Sequence, residues 1–360
     1  MQLREKIGQM FVIGISGPAI DDNTARLLDR ILPGGVCHFA RNIKSIEQIR
    51  SLNEEISERL KIVPMLSIDQ EGGLVDRLRR LISPMPAASA LKDAKDVAEF
   101  AKMIGEVLRL LGFNTNFAPV VDVINVDRSS VQNGLQTRNF GSSAEQLVEY
   151  AEIFLNELHS EGIVGCLKHF PGLGASLVDS HNLLPEVNVS FDEFSAVDLE
   201  PYHALIGQPN VNAVMVAHAA YPLLDLQETD QNGRLLPSSL SHNMISKLLR
   251  DQLGFDGVVI TDDLEMGAII NNYGIGEASV MAVEAGVDML AICAGEDSIN
   301  EGYEALLGSV LSGRITEQRI DESLNRIFAL KKRFATRVEL DLARINEISD
   351  QMAVLKSRLN

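Results

Sequence analysis

The chain has 360 residues, 46% of them hydrophobic, enough for one large core or two ordinary ones. Lys plus Arg number 32 and Asp plus Glu 50, and the resulting net charge of −18 makes nucleic acid and anionic membrane surfaces poor partners. No run is long enough to span a bilayer, the opening MQLREKIGQMFVIGISG has no signal-peptide pattern, and Cys37, Cys166 and Cys293 each sit in an apolar run, which reads as buried thiols in a reducing, cytoplasmic compartment.

In chain order, short apolar runs alternate with longer amphipathic ones. Strand-like runs occupy 9–15, 34–39, 63–69 and 115–123, then 164–170, 212–219, 257–263 and 286–293. Helix-like segments between them include 46–60, 95–111, 143–161, 240–253 and 276–285. Near-continuous apolar strands separated by helices imply a parallel sheet buried on both faces. Eight of them suit a closed (β/α)₈ barrel, with an open doubly wound sheet as the alternative. No G-x-G-x-x-G follows the first strand, which argues against a dinucleotide site. The stretch from about Ile315 to Leu359 reads as helical, opened by a Thr316 cap and carrying an apolar stripe through Leu342, Ile345, Ile348, Met352, Leu355 and Leu359. Such a stripe packs on the barrel exterior or forms a dimer contact.

Chemistry in such barrels sits at the carboxyl ends of the strands. Asp69 ends the third strand, Asp122 lies near the end of the fourth, and Lys168 and His169 end the fifth. His218 lies near the end of the sixth and Asp262 ends the seventh. Polar groups closing apolar runs on separate strands converge on one mouth, and that convergence predicts an active site. After the fifth strand, KHFPGLGASLVDSH adds Asp179 and His181, two residues apart and so on one face of an extended segment.

The segments IDQEGGLVDRL (68–78), TRNFG (137–141), KHFPGLG (168–174), DSH (179–181) and VVITDDLEMGAI (258–269) together resemble glycoside hydrolase family 3. Within it they resemble the single-domain bacterial β-N-acetylglucosaminidases, the NagZ type, collinear over about residues 3 to 335. The resemblance implies a single-domain (β/α)₈ TIM barrel over 1–340, with a helical extension over 341–360. It implies a retaining exo-glycosidase that removes terminal β-linked N-acetylglucosamine, the source being peptidoglycan fragments. Asp262 would be the nucleophile and His181 the acid/base, with Asp179 orienting the imidazole and favouring its charged form. Asp69, Arg77, Arg138, Lys168 and His169 would hold the terminal sugar, while Asp122 and His218 would stand behind them. The resemblance implies no cofactor and no metal. The partner it implies is a small carbohydrate, met by a monomer or homodimer.

Three local expectations follow. Strict alternation turns Asp263 away from the mouth if Asp262 faces it, leaving Asp263 to cap the next helix. The adjacent Lys168 and His169 reach one site only if the strand ends or twists there. Gly172 and Gly174 are candidate hinges for a closing loop. Two positions depart from the family pattern: Leu173 stands where Pro-Gly-His-Gly is usual, and Leu74 where Arg often follows Glu-Gly-Gly. Other readings remain open: an N-acetylglucosaminide phosphorylase or β-glucosidase on the same scaffold, or a catalytically weakened sugar-binding protein. A metal-dependent hydrolase using His38, His169, His218 and Asp262 is a further rival, lacking any paired ligand spacing.

Overall fold

The structure is a computed structural model, and it describes residues 1–125, 127, 128, 133–141, 143–177 and 184–359. Eight parallel strands form its centre: β1 Phe11–Gly14, β2 Gly35–His38, β3 Met65–Ile68, β4 Thr115–Asn116, β5 in two pieces (Val164–Gly165 and Leu167–Phe170), β6 Ala213–Val216, β7 Val258–Asp263 and β8 Met289–Ile292. The first piece of β5 pairs with β4 and the second with β6, so the sheet closes on itself through this one strand. The open-sheet alternative is thereby excluded: the fold is a (β/α)₈ barrel. Every residue of β1, β2, β3, β6 and β8 is buried, as expected of strands covered by helices outside and packed side chains within.

Polar residues set where the helices begin. Asp21, Ser45, Asp93, Ser143 and Thr316 each accept a hydrogen bond from the backbone N–H three residues on, at the starts of Asp22–Ile31, Ile46–Arg59, Ala94–Leu110, Ala144–Ser160 and Glu317–Lys331. Ile275–Ala285 ends at Gly286, whose φ of 119° only glycine adopts easily.

Two readings of the sequence need correction. The fourth strand, expected over 115–123, keeps only two ladder residues; a cis Ala118–Pro119 peptide follows, and Val120 returns as an isolated bridge to Asn139 and Lys168. The helical stretch expected from Ile315 to Leu359 is broken at 332–341, and a separate helix spans Leu342–Leu359. Its stripe of Ile345, Ile348, Met352, Leu355 and Leu359 is buried within the chain, where the helix lies against Ala94–Leu110. Arg344 pins one end to Glu106 through hydrogen bonds of 2.6 and 2.8 Å, and Arg358 pins the other to Asp96 at 2.6 Å.

Candidate active site

Register irregularities decide what reaches the mouth. Between Leu167 and Phe170, β5 advances three residues while β6 advances two. This bulge breaks alternation, so the adjacent Lys168 and His169 both line one cavity. The Lys168–His169 peptide is cis, as is Phe170–Pro171. In the same way β7 advances three residues, Ile260 to Asp263, while β8 advances two. Asp262 and Asp263 therefore both line the cavity, and the expectation that Asp263 turns away fails. Nor does Asp263 cap the next helix. Its Oδ1 accepts from Glu265 N at 3.1 Å and Cys293 N at 3.3 Å, whereas Gly267–Ile270 starts after Met266 with no side-chain cap.

The cavity is about 390 Å³ and opens at the carboxyl ends of the strands. Its lining brings together Asp69, Arg77, Arg138, Lys168, His169 and Asp262, named from the sequence, with Glu71, which was not. Glu71 is the hub of the charged floor. Lys168 Nζ lies 2.6 Å from Glu71 Oε1 and donates to Asp69 Oδ1 at 2.8 Å. Arg138 donates to Glu71 through both Nε and Nη2, at 2.8 and 3.0 Å, the paired geometry a guanidinium and a carboxylate favour. Arg77 is looser, 3.8 Å from Asp69 Oδ2 and 29% exposed at its side chain. The signal for Glu71 was in the sequence: it sits two residues after Asp69, where an extended chain returns to the same face.

These contacts set protonation. Burial works to raise the Glu71 carboxyl, but Lys168 and Arg138 outweigh it and bring it down to about 2. Burial likewise works to lower the Lys168 ammonium, and Asp69 and Glu71 reverse that, so it is raised. Asp262 is held below the ordinary aspartate value. Burial opposes ionisation there, but His169, His218, the Asp263 N–H and Lys168 together outweigh it. Its neighbour goes the other way: burial, with the nearby Glu265 and Asp262 charges, pushes Asp263 up to about 7.

Asp122 and His218 do not line the cavity. Asp122 Oδ2 accepts from His169 Nδ1 at 2.8 Å, which leaves the Nε2 edge of that ring for the cavity. Asp122 Oδ1 accepts from Leu173 N at 2.7 Å and His169 N at 3.3 Å. His218 Nε2 donates to the Asp263 carbonyl at 3.0 Å, so its Nδ1 accepts from the Ser239 hydroxyl at 2.7 Å. Each thus orients a residue that does face the cavity.

The start of the loop after β5 is pinned. Tyr221 Oη donates to Gly172 O at 2.6 Å, and Asn133 Nδ2 donates to Leu173 O and Ser176 O at 3.2 and 3.0 Å. A Cβ at Gly174 would meet Val123 O at 2.0 Å, and Gly172 is packed against Asp198. These glycines permit close packing. Leu173 is buried and lines the cavity, so it anchors its loop by packing and through its backbone. Asp179 and His181 lie outside the described residues.

The metal reading does not assemble. His38 is buried away from the cavity, edge-on to Phe113 at 5.5 Å, with its ring lowered to about 4 by burial. His218 lies behind Asp263, and no group of three or more potential ligands gathers among the described residues.

A closed barrel with carboxylates and cations interleaved at its mouth marks that mouth as a candidate site for a polar ligand. The chain belongs to glycosyl hydrolase family 3 and is a glycoside hydrolase: residues 2–330 match the model of the Glycosyl hydrolase family 3 N terminal domain. A β-hexosaminidase of Psychromonas ingrahamii is 32% identical over 290 residues, 78% of this chain and 82% of that one. One from Pseudomonas aeruginosa is 33% identical over 289 residues, covering 78% and 81%. Among solved structures, a family 3 β-N-acetylglucosaminidase from Paenibacillus sp. str. FPU-7 superposes with a TM-score of 0.88 at 34% identity, over 99% of this chain and 69% of that one.

Proposed function

We propose that this chain is a retaining β-hexosaminidase that removes terminal β-linked N-acetylglucosamine, its source being peptidoglycan fragments in the cytoplasm. In this reading the barrel over 1–340 carries the chemistry, and 341–360 is a helical extension on its exterior. The observation that carries the proposal is Asp262. Its carboxylate faces the cavity beside the Asp69–Lys168–Glu71–Arg138 network and is held in its ionised form.

The steps follow from the chemistry of such a pair. Asp262 attacks the anomeric carbon and the bond from that carbon to the leaving oxygen breaks. The imidazolium of His181, kept charged by Asp179, gives its proton to that oxygen. Water then attacks the same carbon, releasing Asp262 and returning a proton to the neutral imidazole. Asp69, Lys168, Arg138, Arg77 and the Nε2 edge of His169 hold the sugar. Each hydroxyl both donates and accepts, so a floor of alternating carboxylates and cations can satisfy every position. Among the described residues, five carboxyl groups line the cavity (Asp69, Glu71, Asp262, Asp263 and Glu265) beside three cations (Arg77, Arg138 and Lys168).

A panel of aryl glycosides, assayed with and without phosphate, tests the reading. The expected result is hydrolysis of the β-N-acetylglucosaminide, lost in Asp262→Asn and His181→Ala and unaltered in product by phosphate. A glucoside preference, a sugar phosphate product, or no turnover of any glycoside by the unmodified chain would overturn it.

A further inference from the structure

Arg128 and Asp198 form a buried pair against the start of the loop after β5, and no step of the proposed reaction uses them. Arg128 belongs to the stretch after β4, where its N–H donates to Asn125 O at 3.1 Å. Asp198 ends a wide π-helical turn, Phe194–Asp198, closed by Leu199 N donating to Phe194 O at 2.9 Å just before helix Glu200–Leu205. The side chains meet fork to fork, Nη1 to Oδ1 at 2.7 Å and Nη2 to Oδ2 at 2.9 Å. Arg128 also donates to Glu193 Oε1 at 2.8 Å and to Val123 O at 3.4 Å. The Asp198 side chain has no exposed surface, and that of Arg128 is 6% exposed. The pair touches the loop at both of its glycines. A Cβ on Gly172 would come within 2.9 Å of Asp198 Cβ, and one on Gly174 within 3.1 Å of Arg128 Nη1. Between them lies Leu173, whose N–H donates to Asp122, the residue that holds His169 Nδ1. From Gly174 the sequence runs on to Asp179 and His181.

We propose that Arg128 and Asp198 are positioning residues for acid catalysis: by clamping Gly172–Gly174 they fix the point and direction from which the stretch bearing Asp179 and His181 departs. The inference rests on His181 as the acid/base. Stability explains the pair poorly. Buried ion pairs can be replaced by apolar side chains of similar volume without loss of stability. Here burial, with the Asp122 and Glu193 charges, outweighs Arg128 and raises the Asp198 carboxyl to about 6. An aspartate raised above its ordinary 3.8 favours the native state at low pH, so its ionisation at neutral pH costs stability. What the fork supplies is geometry. A planar guanidinium bonded twice to one carboxylate fixes distance and angle together, and this one ties the stretch after β4, the loop after β5 and the turn Phe194–Asp198 into one body. Proton transfer to a leaving oxygen depends on such placement, because the donor must come within hydrogen-bond reach.

The double variant Arg128→Met/Asp198→Leu tests this, since it removes both charges and strands neither; Glu193, 46% exposed at its side chain, is left to solvent. Two β-N-acetylglucosaminides separate acid catalysis from the rest of the site. A dinitrophenyl glycoside loses its leaving group without a proton, whereas a phenyl glycoside needs one. In the double variant kcat/KM for the phenyl glycoside should fall on the order of 10²-fold, while that for the dinitrophenyl glycoside stays within a few-fold. Arg128→Lys, a milder change that keeps the charge but not the fork, should show the same selective loss at smaller size. Amide exchange followed by mass spectrometry gives a measure that needs no activity: the peptide over 172–177 should exchange faster in the double variant, with β1 and β8 unchanged. Equal losses on both glycosides, undiminished turnover of the phenyl glycoside, or unchanged exchange at 172–177 would each overturn the inference. No turnover of either glycoside by the unmodified chain would instead defeat the assignment of activity, and the exchange measurement would still decide whether the pair clamps the loop.

Discussion

The two ends of the barrel each bury a network of charges, and they are built to different ends. At the amino-terminal end, Asp288 has no exposed side-chain surface and is saturated. It accepts from Arg250 Nη2, from Ser323 Oγ at 2.8 Å, from Arg326 Nη1 at 3.2 Å and from Val259 N at 3.0 Å. It joins β7, the turn before β8 and helix Glu317–Lys331, and it lines no part of the cavity. At the carboxyl-terminal end, Asp69, Glu71, Lys168 and Arg138 are equally interlocked, but their outer edges face 390 Å³ of open space. One network closes on itself and holds the fold together; the other keeps hydrogen-bonding capacity in reserve for a ligand. Burial of charge alone does not separate structure from function: cavities lie beside both networks, and the difference is that the carboxylates of Asp69 and Glu71 line theirs whereas Asp288 does not.

Substitutions should divide along that line. The largest effect belongs to Asp262→Asn, which should lower kcat on the order of 10³-fold or more while hardly changing the melting temperature. Steady-state kinetics and calorimetry on one preparation check both halves. Asp288→Ala should do the reverse. It strands buried arginines and costs about 3–5 kcal/mol of stability, while kcat per folded molecule stays unchanged. A large kcat loss in that variant, with folding intact, would erase the contrast between the two ends.

Glu71→Gln tests the middle ground and should show both effects, because Glu71 shapes the ligand floor and neutralises two buried cations. It should raise KM and also alter the pH dependence of stability. A carboxyl lowered to about 2 from an ordinary 4.5 stabilises the native state fully above that ordinary value and loses its contribution as pH falls towards 2. Urea unfolding between pH 2 and 5 should therefore have a shallower slope in the variant. Asp263 has the opposite sign. Raised from 3.8 to about 7, it favours the native state below pH 4 and loses that contribution as pH rises through 7. Asp263→Asn should flatten the decline between those limits. The smallest effect is expected on the exterior, where Arg344→Ala removes a partly exposed pair with Glu106 and should cost no more than about 1 kcal/mol.

The barrel was legible because each strand is a short apolar run separated from the next by a longer amphipathic one, and the mouth because the third to seventh runs close on polar residues, a pattern that survives without knowledge of contacts. The helices were legible from their amphipathic pattern, with a cap residue read in the sequence only at Thr316. Register was not, since bulges leave no mark in the side-chain pattern. Alternation predicted that Asp263 points away and made the joint placement of Lys168 and His169 a puzzle; one extra residue in β7 and in β5 resolves both. The packing role of Gly172 and Gly174 was hidden for a related reason: a glycine that allows close packing reads the same in sequence as one that allows motion, and only Asp198, Val123 and Tyr221 show how closely these two are packed.

The account rests on Asp262 as the group that bonds to the anomeric carbon. A 5-fluoro-N-acetylglucosaminyl fluoride, which slows release of a covalent intermediate more than its formation, tests this by peptide mapping of the labelled chain. A single sugar adduct on the peptide carrying Asp262 is the predicted result. A label on Asp69, Glu71 or Asp263, or turnover with inversion at the anomeric carbon, would contradict it.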